Sequence, residues 1–173
     1  MNKPFLQKLT RYVPEIILFV ALAFIQISHI NIDLWNDEIY TIKNFVLTSL
    51  NNTISDYHVP NNHVFFNLIN NIYLRIIGID SLHTLLDSPW KLRILPFFYS
   101  FFSAYFTYKI GMKFANRTIG LLALIILMTT LPFYNFSLQI RGYGLSILLN
   151  VTLVYYLLSY LSSLNKKDIV KVG

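Results

Sequence analysis

The chain has 173 residues, 55% of them hydrophobic and 13% charged, against roughly 25% charged in a soluble domain, so an ordinary water-soluble domain is excluded and a bilayer protein is indicated. The net charge of +6 is not gathered into one run or onto one face, which argues against nucleic-acid binding and makes Lys and Arg membrane-edge charges that set orientation. The absence of Cys excludes disulfides, thiol catalysis and thiolate metal sites.

Residues 1–13 carry Lys3, Lys8 and Arg11 and no acid. Residues 14–32 are almost wholly apolar and long enough to cross the hydrocarbon. The run continues through Gln26-Ile-Ser-His-Ile without an Ala-x-Ala cleavage pattern, so it reads as an uncleaved anchor with its N-terminus inside. Residues 33–91 differ: they hold six of the eight acids. Within them, 51–62 is Asn-rich, contains Pro60 and reads as turn and loop. The flanking stretches 39–50 and 64–79 read as amphipathic helices. In the second, Phe65, Leu68, Ile69, Ile72 and Ile76 recur at helical spacing, and Asn67, Asn70, Asn71 and Arg75 fill much of the remainder. Helices of this kind lie in the membrane interface. Gly78 is a helix stop.

Residues 92–110 form a second apolar span, opened by Arg93 and closed by Lys109, with Lys113 and Arg117 following. A third, 118–136, is interrupted late by Pro132. After a short polar turn with Gln139 and Arg141 comes a fourth, 143–164, and Lys166, Lys167 and Lys171 follow. With four spans, nine of the 14 basic residues fall on one side. A fifth crossing at 64–79 would exchange two of these groups across the membrane. The positive-inside rule therefore favours four spans. The expected fold is an all-α membrane protein of four transmembrane helices, with an extracytoplasmic loop (33–91) of amphipathic juxtamembrane helices between the first and second. Both termini are expected to be cytoplasmic.

Chemistry concentrates in that loop. Asp37 and Glu38 are adjacent, so on a helix they point about 100° apart and cannot face each other. One can act on a substrate while the other orients, pairs with a cation or binds a metal. Asp37 shares a face with Thr41. A carboxylate at a membrane surface suits a general base; the plainer reading is a charge at a helix N-terminus. His63, just before an amphipathic helix, can carry a proton, bind a metal or hydrogen-bond a substrate, or sit idle beside an Asn62 cap. Arg93 and Arg141 stand at the ends of two spans, where a guanidinium matches a phosphate or snorkels to the interface. Arg141 is followed by glycines in Arg-Gly-Tyr-Gly, where backbone can approach a ligand closely.

In order, the chain shows a basic-flanked anchor, Trp-x-Asp-Glu-x-x-Thr (Trp35, Asp37, Glu38, Thr41), a His63-containing loop before an interfacial helix, Leu92-Arg93 opening a span, and Arg141-x-Tyr143 opening a later one. This resembles the N-terminal part of the GT-C membrane glycosyltransferases. The bacterial branch related to protein O-mannosyltransferases and to the aminoarabinose and galacturonic-acid transferases of lipid A is the most similar. The resemblance implies a cell-membrane enzyme that moves a sugar, with inversion, from a polyprenyl-phosphate donor to a lipid, glycan or protein acceptor. It implies Asp37 as the base and Glu38 as its support through an arginine or a divalent cation. Arg93 would meet the departing lipid phosphate, and His63, Arg141 and Tyr143 would line the pocket. Two departures leave the acceptor and any metal open: His63-Val64-Phe65 stands where the family often has His-Pro-Pro, and Gln139 where it often has an acid. Family members run to several hundred residues, so this chain is expected to be a fragment. The alternative is a non-catalytic accessory protein that binds polyprenyl-phosphate lipids; a small transporter component ranks third.

Overall fold

The computed structural model describes residues 11–59 and 62–171, with side chains as far as Leu164. These residues form helices and connections with no strand among them. Helix α1 is Val13–His29, with Pro14 in its first turn, where a missing N–H costs nothing. Helix α2, Asn36–Thr41, runs directly into a π-helical turn, Ile42–Val46. Then come α3 (Leu50–Ser55), α4 (Val64–Ile76), α5 (Leu82–Asp87), α6 (Trp90–Phe114), α7 (Arg117–Thr129), α8 (Leu131–Phe136) and α9 (Tyr143–Lys171).

Three sequence expectations change here. The single helix expected over 39–50 is instead α2 plus the π-turn, broken at Leu47 (φ −87°, ψ 49°). Part of the expected loop 51–62 is helix α3, because the Ser49 hydroxyl accepts the Asn52 N–H at 3.1 Å and caps it. The expected span 118–136 is two helices, α7 and α8, separated at Thr130, whose backbone is extended (φ −76°, ψ 132°). Pro132 sits in the first turn of α8, so it cannot donate back into α7. At 13 residues, α7 alone is about 20 Å long, short of a hydrocarbon core of about 30 Å. Among the described residues one helix, Tyr143–Leu164 of α9, is both long and apolar enough to cross a membrane, and α1 and α7 are shorter apolar helices.

Helices α6 and α7 form a tight hairpin. The Asn116 side chain accepts the Ile119 N–H at 2.9 Å and caps α7. A Cβ added at Gly111 would lie 2.7 Å from the Gly120 Cα, so backbone meets backbone there. Leu22 of α1 and Phe133 of α8 close a core with Ala104, Tyr108 and Leu124. At this end of the molecule buried Glu15 accepts from Arg117 at 2.6 Å and from the Tyr108 hydroxyl at 2.8 Å, which ties α1 to the hairpin.

The other end is built from 33–92. There Ile42, Phe66, Leu74, Leu85, Leu92 and Ile140 share one core. Helix α4 turns its asparagines inward: Asn67, Asn70 and Asn71 are buried. Asn71 donates to the Thr48 carbonyl at 3.0 Å and to the Thr53 hydroxyl at 2.8 Å. Asn62 is no cap. Its amide clamps the Thr53 and Asp56 carbonyls at 3.0 and 2.7 Å and accepts from Asn67 at 2.9 Å. Phe65 and Ile76 of the same helix are 59% and 78% exposed. Gly78 ends the element with φ +72°, a conformation glycine adopts freely.

Candidate functional site

The site begins with the capping of α2. Glu38 is the third residue of the helix and reaches back to accept the Trp35 N–H at 2.8 Å, a local bond that fixes the helix start. This turns Glu38 into the protein, and its side chain is 1% exposed. Its other oxygen accepts the Ile140 N–H at 2.7 Å. The Arg93 guanidinium, 5% exposed, lies 3.2 Å from the carboxylate. Arg93 also donates to the carbonyls of Ile30, Ile32 and Asp33. One buried ion pair thus joins the end of α1, the start of α2, the start of α6 and the strap before α9.

With Glu38 turned inward, its neighbour faces out. The Asp37 side chain is 67% exposed and pairs with Arg141 at 2.7 Å, the arginine being 16% exposed. The Arg141 guanidinium stands 5.4 Å from the Tyr143 ring centre. The Tyr143 and His63 rings meet edge to face at 5.7 Å. Gly142 permits this closeness: a Cβ there would lie 3.1 Å from the His63 Cβ. His63 Nε2 is buried with no hydrogen-bond partner. Burial, and then the charge of Arg141, hold the His63 pKa below its usual 6.5, so the ring is neutral at pH 7.

The six residues singled out in sequence therefore fall in two layers. Asp37, Arg141, Tyr143 and His63 form an accessible cluster, and Glu38 with Arg93 forms a buried pair. The resemblance puts Arg93 at the leaving phosphate; the structure places its guanidinium on Glu38 and three carbonyls, and Arg141 is the cation beside the exposed carboxylate. Thr41 is fully buried, and its hydroxyl has no hydrogen-bond partner. The Ile140 N–H, which holds Glu38, was not legible in sequence because a backbone donor leaves no side-chain signal. Gly142 could be noticed there only as part of a glycine-containing turn.

The donor set does not suit a divalent cation. Both Glu38 oxygens are taken by N–H donors, which leaves Asp37 as a lone carboxylate facing an arginine. Among the described residues no three His, Asp or Glu side chains converge in a metal-binding arrangement. What the cluster can do is acid–base and anion chemistry: a carboxylate able to take a proton stands beside a guanidinium able to neutralise a phosphate. No family model matches the chain, and neither does any curated protein or solved structure.

Proposed function

We propose that the chain is part of an inverting membrane glycosyltransferase that takes a sugar from a polyprenyl-phosphate donor. The observation that carries this reading is the exposed Asp37–Arg141 pair set on the buried Glu38–Arg93 pair. In the proposed reaction the acceptor hydroxyl attacks the anomeric carbon and gives its proton to Asp37. The bond from that carbon to the phosphate oxygen breaks, and the lipid phosphate leaves with the electron pair. Arg141, backed by Tyr143 and by neutral His63, neutralises the departing phosphate. Glu38 and Arg93 are positioning residues that fix the start of α2 against α6 and the strap.

The placement proposed is a bacterial cell membrane with 14–32, 92–110, 118–136 and 143–164 crossing, α7 and α8 together making the third crossing, and 33–91 outside. It is supported by the segregation of the cluster at one end of the helices from Glu15 and Arg117 at the other, and by α9. The donor's tail needs lipid and its phosphate needs a polar surface, which are the two environments that meet at Asp37. The test is transfer of radiolabel from polyprenyl-phosphate sugars in membranes bearing the protein as its gene encodes it. Transfer dependent on the protein, and lost in Asp37→Asn, supports the reading; equal transfer by the variant removes it.

A further inference from the structure

A cavity of about 520 Å³ lies between the π-turn and the far end of α4, and it shares no residue with the Asp37 cluster. Its size falls within the roughly 300–1,000 Å³ of small-molecule sites. Leu47, Leu74 and Ile79 give it apolar walls, and Arg75 and Asp80 are its charged residues.

Arg75 is exposed but held in place. Its Nε donates to the Asn71 Oδ1 at 2.7 Å and its Nη2 to the Thr48 carbonyl at 2.8 Å. Asn71 is itself 1% exposed and anchored to Thr48 and Thr53. The guanidinium is thus fixed by neutral groups, and its Nη1 makes no hydrogen bond among the described residues. Nor is its charge spent on the end of its own helix. The carbonyls of Tyr73, Leu74 and Arg75, in the last turn of α4, accept from the Ile77, Ile79 and Gly78 N–H groups. Asp80 follows directly and is exposed; the N-cap of α5 is Ser81, not Asp80. None of the ion pairs among the described residues involves Arg75 or Asp80.

One cavity therefore carries a fixed cation and an acid that pair neither with each other nor with any other described residue. A ligand of single charge matches one of them and leaves the other. A zwitterion matches both, and the apolar walls suit the carbons that separate its charges. The surroundings select which zwitterion. Ile72 and Ile76, on either side of Arg75 in α4, are 43% and 78% exposed. Residues three apart share a helix face, so Arg75 stands at the rim of the apolar flank. With that flank in a bilayer interface the rim lies at headgroup level. The anion at that level is a phosphate, which a guanidinium fork fits. The acid takes N–H donors, which an ethanolamine ammonium has and a choline lacks.

We propose that this cavity binds the phosphoethanolamine headgroup of a bilayer lipid, with the phosphate on Arg75 and the ammonium on Asp80. The proposal rests on 33–91 lying at a membrane surface and not on sugar transfer at Asp37.

The experiment is native mass spectrometry of the protein, as its gene encodes it, released from detergent micelles. The micelles are doped with equal amounts of dioleoyl phosphatidylethanolamine, phosphatidylcholine or phosphatidylglycerol. The phosphatidylethanolamine adduct is expected to exceed the other two at least about fivefold, the worth of a charge-assisted hydrogen bond at a partly exposed site. The preference should vanish in Asp80→Asn and in Arg75→Gln. It should persist in Lys43→Gln, which removes an exposed cation of the same segment outside the cavity. Asp80→Asn gives up no hydrogen bond within the protein, so it should melt as the wild type does. Its result decides the matter even if Arg75→Gln, which gives up two bonds, unfolds. Binding of water-soluble glycerophosphoethanolamine with the same dependence on Asp80 shows that the headgroup alone is read, and lack of it shows that the tails are needed; both keep the proposal. Equal adducts of the three lipids, or a preference unchanged in Asp80→Asn, overturn it. Failure of the sugar-transfer test leaves this preference untouched, and loss of the preference leaves the transfer test untouched.

Discussion

The Asp37 carboxylate and the Arg141 guanidinium lie 104 positions apart in sequence and 2.7 Å apart in space. The contact joins the first turn of α2 to the entry of α9, and it is lopsided: the acid is two-thirds exposed and the arginine mostly covered. A substrate can therefore reach the acid while the cation stays seated on Tyr143.

That asymmetry predicts a clean functional variant. Asp37→Asn keeps the size of the side chain at an exposed position, so membrane insertion and melting temperature should stay at wild-type values. Transfer from a polyprenyl-phosphate sugar should fall at least about 100-fold, the usual worth of a general base. Radiolabel transfer and a thermal melt on the same preparation check both halves.

Glu38 predicts the opposite pattern. Its charge is buried against Arg93 and two backbone donors, so Glu38→Ala leaves a buried cation uncompensated. The expected loss is about 3–5 kcal/mol of stability. Adding Arg93→Met should recover part of it, and a double-mutant cycle on thermal unfolding measures the coupling.

His63 gives a pH dependence with a definite sign. Its folded pKa is below 6.5 because burial, and then Arg141, disfavour the charged ring. Between the folded value and about 6.5 the unfolded chain binds a proton that the folded chain does not. Stability therefore falls as pH drops below about 6.5. Melting temperatures measured from about pH 7 to about pH 5 should decline more for the wild type than for His63→Gln.

The α6–α7 hairpin admits no side chain at its crossing. Gly111→Ala would place a methyl 2.7 Å from the Gly120 backbone, and Gly120→Ala would place one 2.8 Å from the Tyr108 carbonyl. Neither obstacle is a flexible side chain that can swing away. Each variant should lose about 1–3 kcal/mol, read as a lower melting temperature in detergent.

The chain has no Cys, so single cysteines report topology without background. Tyr57 is 65% exposed and Ala115 lies in the exposed α6–α7 turn. An impermeant maleimide applied to intact cells should label Tyr57→Cys and should reach Ala115→Cys only after permeabilisation. The reverse pattern would overturn the proposed placement of 33–91.

What could be read in sequence was whatever side-chain pattern reports directly. The helical class followed from apolar runs, and Gly78 marked a helix stop because only its left-handed backbone was needed there. The division of Asp37 and Glu38 between two faces followed from helix geometry, but which acid turns inward did not. That depends on Arg93 and on the Ile140 N–H, each far away in sequence. The break at Leu47 and the helix at Leu50–Ser55 were hidden because Asn and Ser serve loops and helix caps alike. The cavity at Arg75 and Asp80 was invisible for the same reason as the Ile140 donor: it exists only once the π-turn meets the end of α4.

Helix α4 carries one last consequence. Its asparagines are knotted into the surrounding turns while Phe65, Ile72 and Ile76 point away from the molecule. Excised as a piece, residues 33–91 would keep their internal polar knot yet present an oily flank to water. Such a piece should self-associate or cling to detergent, and those who wish to crystallise residues 33–91 alone will do better to keep a lipid substitute in every buffer.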